Sequence, residues 1–255
     1  MTFAINHPLV VFVISFIAMW IAAHTGAWWT RRRPLAEAES RDMFNVVQGA
    51  TLTLLGLIIG FSFSMAISRY DQRKNFEEAE ANAIGTEYVR LDLIAPADAS
   101  KLRPLLVAYL KHRITFYETT DRSQLPALAA RKAQLQSQLW SAVVPSAEQR
   151  PSPITALVVA GMNDVLNSEG YTQAAWWNRI PIAAWLLMGV IALGCNVLVG
   201  VGTGRRLPEP FFLTVLPLVV AVSLMLIADI DSPRGGLIRV APQNLQALMA
   251  SLPSP

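Results

Sequence analysis

Residues 46–68 read VVQGATLTLLGLIIGFSFSMAIS, and residues 69–95 continue as RYDQRKNFEEAEANAIGTEYVRLDLIA. The first stretch holds no Asp, Glu, Lys or Arg, and its length matches the roughly 20 apolar residues that carry an α-helix across a bilayer core of about 30 Å. The second stretch is polar, yet nothing in it stops a helix: no proline occurs from Val46 to Ala95, and the only glycines are Gly49, Gly56, Gly60 and Gly85. At about 1.5 Å per residue the whole segment is a rod of about 75 Å, more than twice the apolar thickness. A membrane-spanning helix that continues into water as a stalk is expected, with Gly85 as a weak point where it could bend.

Three further stretches lack charge: Leu9–Thr30, Ile180–Gly204 and Pro210–Ala228. Over the 255 residues only 15% are charged against about 25% in soluble domains, and the mean hydropathy is +0.38. A soluble globular enzyme is excluded. So is a secretory signal peptide, because Met1–Pro8 carries no basic region and the apolar run after it is too long. The expected fold is an all-α integral membrane protein with four transmembrane helices.

Between Tyr70 and Asn178 the composition changes. This segment carries 12 acidic and 11 basic residues of the 39 charges in the chain, so it faces water. Apolar residues recur at helical spacing in Phe76–Ile94, Leu102–Thr119, Leu125–Val144 and Ile154–Asn167, with Glu80 and Glu87 interrupting the first face. Pro96, Pro126 and the Pro145–Pro153 segment are expected to punctuate these helices. The domain reading is transmembrane helices 1 and 2 over 1–69, a helical extramembrane domain over 70–178, helices 3 and 4 over 179–231, and a tail with a short amphipathic segment over 232–255.

Basic residues in short loops set orientation. Arg31, Arg32, Arg33 and Arg41 follow the first span, and Arg205 and Arg206 precede the fourth, on the same side of the membrane. That side reads as cytoplasmic, in a bacterial inner membrane, with the helical domain in the periplasm. The net charge of +3 fits loops beside anionic lipid, and no nucleic-acid partner is expected.

One pattern marks a candidate site. At 100° per residue, Gly49, Thr53, Gly56, Gly60 and Ser64 share a narrow face of the second span, and Asp71, Asn75, Glu78 and Asn82 prolong it. Gly56-x-x-x-Gly60 is a helix-packing motif, and the full stripe equally suits the lining of a pore built from several copies of this helix. A second candidate is an interfacial charge cluster where the second and fourth spans end: Arg69, Arg73, Asp229, Asp231 and Arg234. A carboxylate this close to an apolar run calls for a partner, so Arg69 or Arg73 is expected to pair with Asp229 or Asp231.

The other features have structural readings. Gly200-x-Gly202-x-Gly204 marks a helix end, Pro217 a kink in the fourth span, and His24 an interfacial position. Cys195 is the only cysteine, which excludes an intrachain disulfide, and His7, His24 and His112 have no ligand spacing. No catalytic motif, metal pattern or cofactor signature occurs.

Several segments resemble bacterial four-span proteins of the bestrophin-like family: GFSFSMAISRYDQRK (60–74), EANAIGTEYVR (80–90), NRIP (178–181) and DIDSPRGGLIR (229–239). The resemblance implies a homo-oligomer, pentameric as bestrophins are, in which the second helix lines an ion-conducting pore and continues into a helical domain. It also implies a cytoplasmic helical domain, opposite to the orientation read from the short basic loops. Bestrophin pores conduct anions through bulky apolar necks, whereas the small, polar and then acidic stripe here suits cations. A non-conducting scaffold or sensor, its helical domain binding a partner or envelope component, is the other function this sequence allows.

Overall fold

The computed structural model describes residues 7–32, 38–203 and 210–253, so Arg33, Gly204, Arg205 and Arg206 lie outside the described residues. Eight α-helices are described: α1 (Pro8–Arg32), α2 (Ala38–Arg90), α3 (Pro96–Glu118), α4 (Leu125–Gln149), α5 (Pro153–Trp177), α6 (Ile182–Gly202), α7 (Pro210–Asp231) and α8 (Gln243–Ser251). Single 3₁₀ turns at Leu91–Leu93 and Arg122–Gln124 join some of them. No strand occurs among the described residues. Four helical stretches are long and apolar enough to cross a membrane.

α2 is one helix of 53 residues that passes through Gly85 without a break. It starts at Ala38, earlier than the apolar run alone suggests, and the extended Ile94 ends the 3₁₀ turn that follows it. α4 likewise runs on past Pro145 to Gln149. A proline removes one hydrogen bond from a helix, and here buried Val143 and Ser146 hold the chain on either side of the loss. The break expected in the Pro145–Pro153 segment falls within it, at 150–152, where Ser152 and Thr155 form a reciprocal capping box that starts α5.

The chain divides into two compact units, 1–69 with 179–239 and 70–178 with 240–255. In the first, α1 packs on both α6 and α7. The contact with α6 depends on missing side chains. A Cβ on Gly26 would overlap the Val197 carbonyl and sit 3.1 Å from the Val201 nitrogen. One on Gly200 would overlap the Ala23 carbonyl and sit 2.8 Å from the Ala27 nitrogen. Thr30 Oγ1 then donates across the pair to the Val201 carbonyl at 3.2 Å, as small and hydroxylated residues do between membrane helices. Cys195 Sγ meets the Thr51 carbonyl at 3.4 Å and brings α2 against α6.

The second unit is a helical domain with its own core. Ile84 and Leu91 meet Leu102, Leu106 and Leu110 of α3, Leu135 and Leu139 of α4, and Val158 and Met162 of α5. Val240 and Leu245, from the end of the chain, complete this core.

Candidate functional site

Within the membrane unit α2 turns a narrow face inward, through Leu55, Ser62 and Ala66, which are at most 4% exposed. Gly49, Thr53, Gly56, Gly60 and Ser64 are all exposed. A Cβ added to Gly49, Gly56 or Gly60 would meet nothing within 4 Å. Among the described residues of one subunit the glycine motif of α2 therefore packs on nothing, in contrast to Gly26 and Gly200. Exposure on α2 is not confined to the stripe, since Leu57, Phe61 and Met65 are also open. These flanking side chains are bulky and apolar, whereas the stripe is small and polar. The Thr53 hydroxyl donates to the Gly49 carbonyl at 2.9 Å, which leaves its oxygen lone pairs on the open side. In the helical unit the same helix exposes Asp71, Asn75, Glu78 and Asn82.

The charge cluster forms around Asp231, the last residue of α7 and 1% exposed. Its carboxylate accepts the Ile180 backbone N–H at 3.1 Å and stands 3.5 Å from Arg69 Nη1. Arg179 Nε donates to its carbonyl at 3.3 Å. Asp231 thus ties the middle of α2, at Arg69, and the end of α7 to the lead-in of α6, with hydrogen bonds to a charged group worth about 1.5–3 kcal/mol each. Asp229 behaves otherwise. Among the described residues no arginine forms an ion pair with it; its two oxygens accept the backbone N–H groups of Leu237 and Ile238, at 2.7 and 2.8 Å. Gly236 makes this possible, since a Cβ there would sit 2.6 Å from the Asp229 carbonyl oxygen. Arg234 is half-buried and Arg73, in the helical unit, is 1% exposed.

A buried ionic network in the helical domain has no counterpart among the sequence candidates. Arg113 of α3 forks onto Glu80 of α2, through Nε to Oε1 and through Nη2 to Oε2 at 3.2 Å. Thr172 and Tyr117 hydroxyls donate to Glu80 Oε2 at 3.2 and 3.4 Å. Arg113 Nη1 reaches Glu169 of α5 at 3.8 Å, and Lys132 of α4 reaches the same carboxylate at 3.0 Å. Burial pushes the Glu80 carboxyl up and Arg113 pulls it back. The nearby His112 is held below the usual imidazole range, by burial first and then by Arg113. One further carboxylate, Glu77, accepts the Asn244 and Leu245 backbone N–H groups at 3.0 and 2.9 Å, at the start of α8 where a negative charge is favoured.

Glu87 is the exception to this pairing. Its side chain is wholly buried, neither oxygen has a hydrogen-bond partner, and Arg90 Nη1 is 3.9 Å away. It packs against Gly161 of α5, where a Cβ would overlap its Oε2. Burial drives its carboxyl up to about 8, against the pull of Arg90 and with a smaller push from Asp164. The two glutamates that interrupt the apolar face of Phe76–Ile94 are these buried ones, and that interruption is the signal that finds them. Among the described residues no group of three or more His, Cys, Asp or Glu is placed to hold a metal.

No curated protein matches the chain in sequence. Among solved structures it is similar to crystal structures of a bacterial bestrophin homologue from Klebsiella pneumoniae. One, solved by zinc phasing, has a TM-score of 0.64 at 16% identity, covering 96% of this chain and 99% of the other. A point variant of that homologue gives 0.65 at 15% identity, covering 95% and 99%. These likenesses carry the fold, all-helical with four apolar helices long enough to cross a membrane among the described residues. The model of the bestrophin-like domain matches residues 17–245, most of the chain, and the chain therefore belongs to the bestrophin-like family, whose characterised members are oligomeric ion channels.

Proposed function

We propose that this chain is the subunit of a homo-oligomeric cation-conducting channel, pentameric as bestrophins are, with its pore lined by α2. The lining is Gly49, Thr53, Gly56, Gly60 and Ser64 in the membrane and Asp71, Asn75, Glu78 and Asn82 beyond it. The observation that carries this reading is the open glycine face: Gly49, Gly56 and Gly60 would each accept a Cβ without contact, while Gly26 and Gly200 take the close helix packing. A face of small residues with exposed hydroxyls next to exposed carboxylates suits hydrated cations passing along an axis.

Single cysteines at Ser64, Asp71 and Asn75, in a Cys195→Ser background, are expected to react with small water-soluble thiol reagents and to block current in planar bilayers once modified. A cysteine replacing buried Leu55 is expected to do neither. An intact oligomer that is silent in several salts, with all these positions equally protected, defeats the channel reading and leaves the scaffold. We further place the oligomer in a bacterial inner membrane with the helical domain in the periplasm, from the arginines of the short loops. A reporter active only outside the cytoplasm should then work when fused after Gln124 and fail near Ala38; the reverse restores the bestrophin orientation.

A further inference from the structure

α1 has two faces of different character. Met19, Ala22, Ala23, Gly26, Ala27 and Thr30 are buried and serve the contact with α6 and α7. The other face borders a groove of about 600 Å³, within the range of about 300–1,000 Å³ typical of small-molecule sites. Its walls are Trp20, Ile21, His24, Thr25 and Trp28, closed on one side by Leu213 of α7, and Arg31 stands at its end. The polarity is graded along the helix, apolar and aromatic at Trp20 and cationic at Arg31, over about 16 Å at 1.5 Å per residue.

We propose that this groove holds an anionic phospholipid, its headgroup phosphate at Arg31 and Arg32 and its acyl chains along Trp20, Ile21 and Leu213. Arginines at a helix end, with Trp28 and Trp29 beside them, need no ligand to explain them, because they suit the helix dipole and the interfacial belt. The third tryptophan, Trp20, is what departs from that explanation. Trp20 lies two turns deeper than Trp28, about 12 Å into the apolar region, beyond the belt. Its ring and that of His24 lie 3.9 Å apart, and His24 Nδ1–H donates to the Trp20 carbonyl at 2.9 Å, so this wall is ordered before any ligand arrives. The Arg32 guanidinium covers the Trp28 ring at 4.0 Å, which fixes the cationic end in the same way. Charge complementarity chooses the occupant: two guanidinium groups above an apolar, aromatic slot match a phosphate above hydrocarbon, and a headgroup with no balancing cation fits them better than a zwitterion. The proposal is independent of whether the protein conducts.

The test is native mass spectrometry of the purified detergent-solubilised oligomer, titrated with phosphatidylglycerol or phosphatidylcholine. Wild type is expected to prefer phosphatidylglycerol, and Arg31→Gln with Arg32→Gln to lose that preference by up to about 30-fold, near fivefold per arginine. Thr25→Trp keeps both arginines but fills the slot, and is expected to remove one tightly held lipid per subunit with the oligomer intact. Three results overturn the proposal. Lipid binding unchanged in Thr25→Trp would mean attraction to a basic surface without a groove. Soluble glycerol phosphate competing as well as the whole lipid would mean an anion site without an acyl channel. Loss of the oligomer in Thr25→Trp would make the groove a contact between subunits.

Discussion

Gly200 on α6 and the glycines Gly56 and Gly60 on α2 do opposite things, and adding one methyl group to each separates them. In Gly200→Ala the new carbon would overlap the Ala23 carbonyl and crowd the Ala27 nitrogen at 2.8 Å, and both are backbone atoms of a rigid helix. No rotamer change relieves this, so α1 and α6 must move apart, weakening the Thr30 hydrogen bond to Val201. Overpacking of this kind costs about 1–3 kcal/mol and occasionally more, or roughly 2–12 °C in melting temperature for a chain of this size. Gly26→Ala strikes the same contact from the other side and should cost about as much. Gly56→Ala and Gly60→Ala place the same methyl where nothing lies within 4 Å. There the only intrinsic effect is helix propensity, which favours alanine by up to about 1 kcal/mol in water. Thermal melts of the purified oligomer, followed by size-exclusion retention, should therefore show a clear drop for Gly26 and Gly200 and none for Gly56 and Gly60. An equal drop in all four would mean that the α2 glycines are packed against a neighbouring subunit and do not face an open axis. No drop at Gly200 would refute the reasoning from close backbone approach altogether.

Asp71→Asn combined with Glu78→Gln is expected to shift the reversal potential in a salt gradient away from cation preference, by an amount that shrinks as salt rises because exposed charges are screened over about 8 Å. Asp229→Ala removes the acceptor of two backbone amides, so hydrogen exchange at Leu237 and Ile238 should accelerate while selectivity stays unchanged; a selectivity change here would put the wrong carboxylates in the pore. Glu87 titrates near 8 when folded against an ordinary carboxylate value when unfolded, so the folded state binds the extra proton and its stability falls as pH rises from about 4.5 to about 8. Glu87→Gln should flatten that fall, which is at most about 1.4 kcal/mol per pH unit, in melts recorded from pH 5 to 9.

The spans were legible because charge is expensive in hydrocarbon, and its absence over Val46–Ser68 and the three similar runs leaves a mark that composition alone displays. The continuity of α2 was legible for the converse reason, that no proline or glycine pair interrupts it. The Pro145–Pro153 segment does hold the break, but Pro145 does not make it, because its cost is local and the chain on either side is buried at Val143 and Ser146. The interfacial pairing was legible in its alternatives, and Arg69 stands by Asp231; that Asp229 accepts backbone amides was not, because side-chain types are visible in a sequence and backbone donors are not. Small residues were ambiguous in principle. Gly26 and Gly200 look no more like packing residues than Gly56 and Gly60, and only the placement of neighbouring backbones distinguishes the two pairs.

The core of the helical domain is drawn from two parts of the chain that are far apart in synthesis. Ile84 and Leu106 meet Val240 and Leu245 in one cluster, and Glu77 receives the first amides of α8. Between them run α6 and α7. A single core cannot stand on both sides of a bilayer, so the stretch between Asn178 and Val240 must cross an even number of times, whichever compartment the domain occupies. α6 and α7 cross as a pair or not at all. The same arrangement orders assembly: until the chain beyond α7 has been made, Glu77 has no helix terminus to accept and the core lacks Val240 and Leu245. Completion of the domain therefore waits on the synthesis of α6 and α7.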